Sequence, residues 1–231
     1  MSHPTVPGLP PLAELDVDGA IQETAAAVDG DTRSAFLRKA GVAGGALLAG
    51  GALMGAAPKL ALGATLPKND VHILNFALTL EYLEAAFYTL AKKDSGLTGD
   101  VKSLAELLSS HENIHVKTLK SVLGSKAVKT PKFDFKDTTS NQAKFLATSF
   151  KLENTGVHAY LGQAGKIQTP AVLATAATIV TIEARHAAAV ALVAGNQLDA
   201  ENGITPDGAF DTPLSKGAIL KAVKKTKFIV V

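Results

Sequence analysis

The sequence predicts an all-α protein, an antiparallel four-helix bundle with a long crossover between helices 2 and 3. Three observations lead there. Four segments of about 23 residues each carry no interior Pro and are bounded by capping residues and glycines. The connections inside the first and the second pair are short, whereas Ser125 to Ser140, about 16 residues, separates the pairs. Ala and Leu dominate, Trp is absent and aromatic residues make up 5%, which favours helix over an aromatic-rich sheet.

The elements follow in order. Asp70 can cap a helix from Val71 to about Lys93, which stops before Asp94-Ser95-Gly96. Asp100 can cap a second from Val101 to Leu123, closed by Gly124. Ser140 or Asn141 opens a third, which ends at Gly165. Thr169-Pro170, a cap with proline at the first helical position, opens a fourth that ends at Gly195. Each helix is about 35 Å long, and sixteen extended residues reach about 50 Å. The middle connection can therefore run the length of the bundle. Beyond Gly195 the chain is rich in Asn, Gly and Pro, and Thr212-Pro213 opens a short helix to about Lys225. Lys221, Lys224, Lys225 and Lys227 read as its solvated end.

The organisation is thus residues 1–65 as an N-terminal extension, 66–195 as the bundle and 196–231 as a C-terminal extension. Within the first part, Ala13 to Val28 is at most a weak helix in a Pro-rich tail. Thr32-Arg33-Ser34-Ala35-Phe36-Leu37-Arg38-Lys39 then precedes Ala40 to Ala57, an uncharged run of 18 residues rich in Gly and Ala. Charge followed by a soft apolar stretch describes an export signal, with a cleavage site such as Ala61-Leu62-Gly63. The charged part resembles the twin-arginine motif, with Ser34 in the place of the second arginine. The alternative is membrane association through residues 40–57 as an uncleaved anchor. Either reading predicts an exported protein, periplasmic or extracellular.

Composition sets further bounds. The chain has 231 residues, 47% of them hydrophobic, enough for one good-sized core. Net charge is +2 with the signs intermixed, so no basic field calls for a nucleic acid. Cys is absent, which excludes disulfides, thiolate zinc sites and Cys-ligated iron–sulfur clusters.

The functional signal lies in the fourth helix. Ile182-Glu183-Ala184-Arg185-His186 sits in an apolar run, Thr175 to Val193, that reads as a buried helix. Glu183 and His186 share one face, and burying an unpartnered charge is costly. A metal ion is one partner that resolves this. The same spacing recurs at Glu112-Asn113-Ile114-His115 on the second helix. A carboxylate-bridged two-metal site needs one more Glu from each remaining helix. Glu153 is the only acid of the third, and the first offers Glu81 and Glu84. An internal repeat chooses between them. Glu81 precedes Tyr88 by seven residues, as Glu153 precedes Tyr160; Glu81 to Glu112 is 31 residues and Glu153 to Glu183 is 30. Each half reads Glu, two turns, Tyr, short loop, Glu-x-x-His.

The expected metal ligands are therefore Glu81, Glu112, His115, Glu153, Glu183 and His186. Glu84 is expected beside them as a supporting carboxylate or an additional ligand. Tyr88 and Tyr160 are expected as core tyrosines with satisfied hydroxyls, or as donors or redox partners to the ligands. His111 and His158 fall out of register with the repeat and belong at the surface or in support; His72 is expected exposed. Oxygen-rich sites with one imidazole per metal suit two iron ions, or manganese, over structural zinc. O₂ or peroxide is then the small-molecule substrate. A buried Glu–His hydrogen-bond network without metal is the alternative.

At these residues the chain also resembles a known family. Ile73-Leu74-Asn75-Phe76-Ala77-Leu78-Thr79-Leu80-Glu81-Tyr82-Leu83-Glu84-Ala85-Ala86-Phe87-Tyr88 is similar to the first helix of ferritin-like domain proteins related to plant desiccation-related proteins. Glu153-Asn154-Thr155-Gly156-Val157-His158-Ala159-Tyr160-Leu161-Gly162 resembles their third helix, and Ile182 to His186 their fourth. The resemblance covers about residues 68–195 and implies a ferritin-like bundle, often exported, tied to stress or desiccation. Two functions compete. One is a di-iron or di-manganese redox protein that oxidises Fe(II) with O₂ or peroxide, or disposes of peroxide. The other is a non-enzymatic structural stress protein of the cell envelope. Iron storage in a cage is a third reading; the sequence shows no cage interface.

Overall fold

The computed structural model describes residues 66–196 and 202–230. The expected export signal, its cleavage site and the weak Ala13–Val28 helix lie outside the described residues. Four long helices dominate: α1 (Lys68–Ala91), α2 (Gly99–Leu123), α3 (Gln142–Ala164) and α4 (Pro170–Val193). α1 packs on α2 and α3 on α4, and the two hairpins meet with α1 against α3 and α2 against α4. This is the all-α bundle that the capped, Pro-free segments and the loop lengths predict.

The caps explain most boundaries. Asn141 starts α3, its side chain accepting from the Lys144 amide at 3.0 Å. Pro170 occupies the first turn of α4. Gly124 closes α2 with a φ of 55°, where a Cβ would be strained. Asp70 departs from expectation. α1 begins two residues before it, and the Asp70 carboxylate instead ties down the loop that leads into α4. It accepts from the amides of Gln168 and Thr169, both at 2.9 Å, at the start of α4. Burial acts to raise the Asp70 pKa, but these hydrogen bonds outweigh it and hold it below the ordinary carboxylate range. Spacing along the chain does not tell whether a polar residue near a helix start caps that helix or bonds a distant loop.

α4 is a second correction. Its long apolar run reads as wholly buried, and by length and composition it could cross a membrane. In the bundle only one side is buried, with Val172, Ala176, Ile179, Glu183, His186, Val190 and Ala191 inward. Small Ala and Thr side chains occupy much of the solvent side, and Leu173 and Leu192 are exposed there. Small apolar residues on an outer face erase the polar stripe that usually marks it.

The crossover from Gly124 to Asn141 carries a 3₁₀ turn (Gly124–Lys126) and a strand, β1 (Lys132–Phe133). Cross-helix pairs fix its path. Tyr88 of α1 bonds Glu153 of α3, and Tyr160 of α3 bonds Glu81 of α1, so α1 and α3 are antiparallel. α2 and α3 then point the same way, and the crossover must climb the full length of the bundle. That is the ferritin-like connection.

The C-terminal segment completes the core. A short helix, α5 (Lys216–Thr226), starts at Ser215, whose hydroxyl accepts from the Ala218 amide at 3.2 Å, slightly later than Thr212-Pro213 suggests. Ile219, Val223 and Phe228 are buried among Phe87, Val101 and Phe145. The strand β2 (Ile229–Val230) pairs antiparallel with β1. Lys221, Lys224, Lys225 and Lys227 stay exposed. Gly162 makes this docking fit. A Cβ there would lie 1.7 Å from the Leu214 carbonyl oxygen, and the Leu214 amide donates to the His158 carbonyl at 3.1 Å. Two apolar clusters result, one toward each end of the bundle. The polar residues of the repeat lie between them.

Candidate metal centre

Four fully buried carboxylates converge at mid-bundle: Glu81 from α1, Glu112 from α2, Glu153 from α3 and Glu183 from α4. His115 and His186 join them, each one turn past the Glu of its own helix. Their ligand atoms form two groups, within each of which all lie within 4.8 Å of one another: Glu81, Glu112, His115 and Glu183, and Glu112, Glu153, Glu183 and His186. Glu112 and Glu183 belong to both groups, while Glu81 and Glu153 each belong to one. The structure thus brings together all six residues that the repeat singled out.

The distances have a pattern that hydrogen bonding alone does not satisfy. His115 Nδ1 lies 3.2 Å from Glu81 Oε2, 3.1 Å from Glu112 Oε2 and 3.1 Å from Glu183 Oε1. One N–H points at one acceptor, and it meets Glu112 in hydrogen-bonding geometry. His186 Nδ1 is likewise 3.0 Å from Glu112 Oε1 and 3.1 Å from Glu153 Oε2, with the bond going to Glu153. Glu81 Oε2, Glu112 Oε1 and both oxygens of Glu183 are left buried without a hydrogen-bond partner. Such orphans are costly. Donor atoms about 3 Å apart are also the edges of an octahedron with metal–ligand bonds of about 2.1 Å. With neutral imidazoles, four carboxylates balance the charge of two divalent ions. The residues therefore fit a pair of metal ions.

Without metal the same crowding moves protons. Burial raises the Glu112 carboxyl to about 7, against the pull of both imidazoles. Burial and the charges of Glu112 and Glu81 push Glu183 well above the ordinary range. Glu81 goes the other way: burial is outweighed by the charge of His115 and by hydrogen bonds. Burial opposes protonation of the imidazoles, but the carboxylates win and raise His186 to about 10, mainly through Glu153, and His115 further, mainly through Glu81.

The supporting residues fall into place around this cluster. Tyr88 donates to Glu153 Oε1 and Tyr160 to Glu81 Oε1. Each tyrosine serves the glutamate of the other hairpin, which sequence spacing on one helix could not reveal. Burial and the facing carboxylates raise both phenols well above their usual range, so they remain donors. Glu84 is buried beside the cluster but in neither group. Burial and the charges of Glu183, Glu153, Glu112 and Glu81 raise it well above the ordinary range. His158 supports the C-terminal segment instead, 3.1 Å from the Asp207 carboxylate, and His72 is exposed.

Two contributors escaped the spacing argument. His111 Nδ1 sits 2.9 Å from His186 Nε2; it lies one residue before Glu112 but has no counterpart in the repeat. Gly156 faces Glu183. An added Cβ would lie 2.8 Å from Glu183 Oε2 and 3.5 Å from Glu84 Oε1. A glycine one turn after Glu153 in a helix interior was the signal available for it.

The model of the ferritin-like domain family matches residues 69–196, which contain all six clustered residues. No curated protein matches the chain.

Proposed function

Because the chain belongs to the ferritin-like domain family, we propose that its buried cluster holds two iron ions, with manganese the alternative, for redox chemistry on Fe(II) with O₂ or on peroxide. The observation that carries the reading is the pair of ligand groups sharing Glu112 and Glu183. The shared Glu112 and Glu183 would hold two ions close together, and each group adds one private Glu and one imidazole, a donor set suited to iron or manganese. Bound metal would supply reversible electron transfer to oxygen or peroxide. The chain's own residues do the rest. Tyr160 and Tyr88 orient Glu81 and Glu153 by donating to their Oε1 atoms. Glu84 stands buried beside Glu183, a further carboxyl within the same pocket of the bundle. The apolar clusters on either side, with Leu80, Leu83, Leu108 and Leu152 on one and Leu78, Leu119 and Ile179 on the other, exclude bulk water.

Export belongs to the same reading, supported by the charged-then-apolar pattern of residues 32–57, and a role in stress protection rests on the resemblance of residues 68–195 to desiccation-related proteins. Metal analysis of the purified full-length chain tests the core of it. About two iron or manganese ions per chain are expected, and Glu183→Ala or His186→Ala should lose them. Fe(II) oxidation after loading should follow the metal content. A chain that takes up no transition metal, with variants changed only in stability, supports the structural-protein reading instead. Fractionation of expressing cells tests export, which a purely cytoplasmic protein refutes.

A further inference from the structure

The two-fold repeat of the site fails where Glu84 corresponds to Gly156, by an offset of 72 residues, and again at a position that touches a ligand histidine. Glu81 and Tyr88 correspond to Glu153 and Tyr160 by an offset of 72 residues, and Glu112 and His115 to Glu183 and His186 by 71. The same offset of 71 sets His111 opposite Ile182. His111 Nδ1 lies 2.9 Å from His186 Nε2, the rings within 20° of parallel and their centroids 5.1 Å apart. An isoleucine side chain has no polar atom to offer, and among the described residues the hydrogen bond of His115 is made by Nδ1 alone.

We infer that His111 is a positioning residue that makes the two metal half-sites unequal: it holds Nδ1 of His186 toward Glu112 and Glu153, so the ion on that side binds more tightly than the ion at His115. The inference rests on the two-metal reading above. A neutral imidazole carries one N–H. His186 can offer the lone pair of Nδ1 to a metal only with its proton on Nε2, and that proton needs an acceptor. His111 Nδ1 is in place to accept it, at an ordinary hydrogen-bond distance, which puts the proton of His111 on its own Nε2. His115 must find its tautomer and ring orientation without such a partner. Groups that hold the far nitrogen of a ligating histidine typically change metal affinity by about 10–100-fold.

The test is Mn(II) titration of the metal-stripped full-length chain by calorimetry. Wild type is expected to bind two ions with affinities at least about tenfold apart. His111→Leu should weaken the tighter step by about 10–100-fold and leave the weaker one unchanged. His111→Asn, whose Oδ1 can stand near the place of Nδ1, should restore it. Ile182→His, which installs the missing partner, should tighten the weaker step, and it decides alone if His111→Leu fails to fold. Ring ¹⁵N shifts of the protein loaded with diamagnetic Zn(II) should place the His111 proton on Nε2. Equal affinities in wild type, an unaffected His111→Leu protein or a His111 proton on Nδ1 would overturn the inference. Uptake without a His111 effect removes only this inference; no uptake by wild type removes the two-metal reading and this one with it.

Discussion

Gly156→Ala should make the metal-free protein more stable and the metal site worse. The added methyl carbon would stand 2.8 Å from Glu183 Oε2. Carbon–oxygen contacts settle at about 3.3 Å or more, so something must give by about 0.5 Å. The helix backbone of α3 is held by its own ladder, and the carboxylate is the far end of a side chain, so Glu183 moves. A metal site tolerates displacements of about 0.2 Å in its ligands. Glu183 belongs to both ligand groups, so both ions feel the shift, with a loss of about 10–100-fold in affinity each, about 1.4–2.8 kcal/mol. Against this, Ala in a helix interior gains up to about 1 kcal/mol over Gly. Calorimetric metal titration and urea denaturation of the same preparations measure the two effects. Gly165→Ala is the control, because a Cβ there meets nothing within 4 Å. If Gly156→Ala binds metal as wild type does, the tight fit between α3 and Glu183 plays no part in the site.

Three further outcomes follow from the same geometry. Glu183→Gln should stabilise the metal-free protein by roughly 1–2 kcal/mol, because its amide can donate to neighbouring carboxylates where both Glu183 oxygens now lack partners; metal uptake should fall to one ion or none, and unchanged uptake refutes the assignment. The stability of the metal-free protein should decline with rising pH. The raised Glu112 contributes stability that is full below about 4.5 and lost as pH rises through about 7, and the raised His186 contributes stability that is full below 6.5 and lost through about 10. Metal binding displaces those protons and strengthens over the same range, so the gap in melting temperature between loaded and metal-free protein should widen with pH; a constant gap counts against the cluster as the site. Gly162→Ala should detach the C-terminal segment, since the methyl group would sit 1.7 Å from the Leu214 carbonyl. With Ile219 and Val223 uncovered, about 2–4 kcal/mol of stability should go, and limited proteolysis should cut after Gly195 far faster than in wild type.

Much of the bundle is a local property, which is why it can be read along the chain. Helix length, Pro170 at a first turn, Gly124 past a last turn and the short loops inside each pair depend on a few neighbouring residues. The crossover was bounded by length alone, since an extended chain of that many residues can reach the far end. The site was legible for a related reason. Glu-x-x-His places two groups on one face of any helix, and its repetition in two hairpins carries the pairing of the halves with it. Glu81 was preferred to Glu84 on register alone, and in the structure Glu81 belongs to a ligand group while Glu84 stands beside the cluster.

What the sequence by itself determined is what depends on separation along one helix: four helices, their order, and the faces that carry Glu81, Glu112, His115, Glu153, Glu183 and His186. The tertiary structure alone decided what depends on two helices meeting. It aimed Asp70 at the start of α4, crossed Tyr88 to Glu153 and Tyr160 to Glu81, set His111 on His186 and pressed Gly156 against Glu183. Those contacts span 27 to 99 residues of chain, and they arise from the antiparallel packing of α1 on α3, α2 on α4 and α3 on α4. A side chain's spacing tells which way it faces on its own helix; only packing tells what it faces.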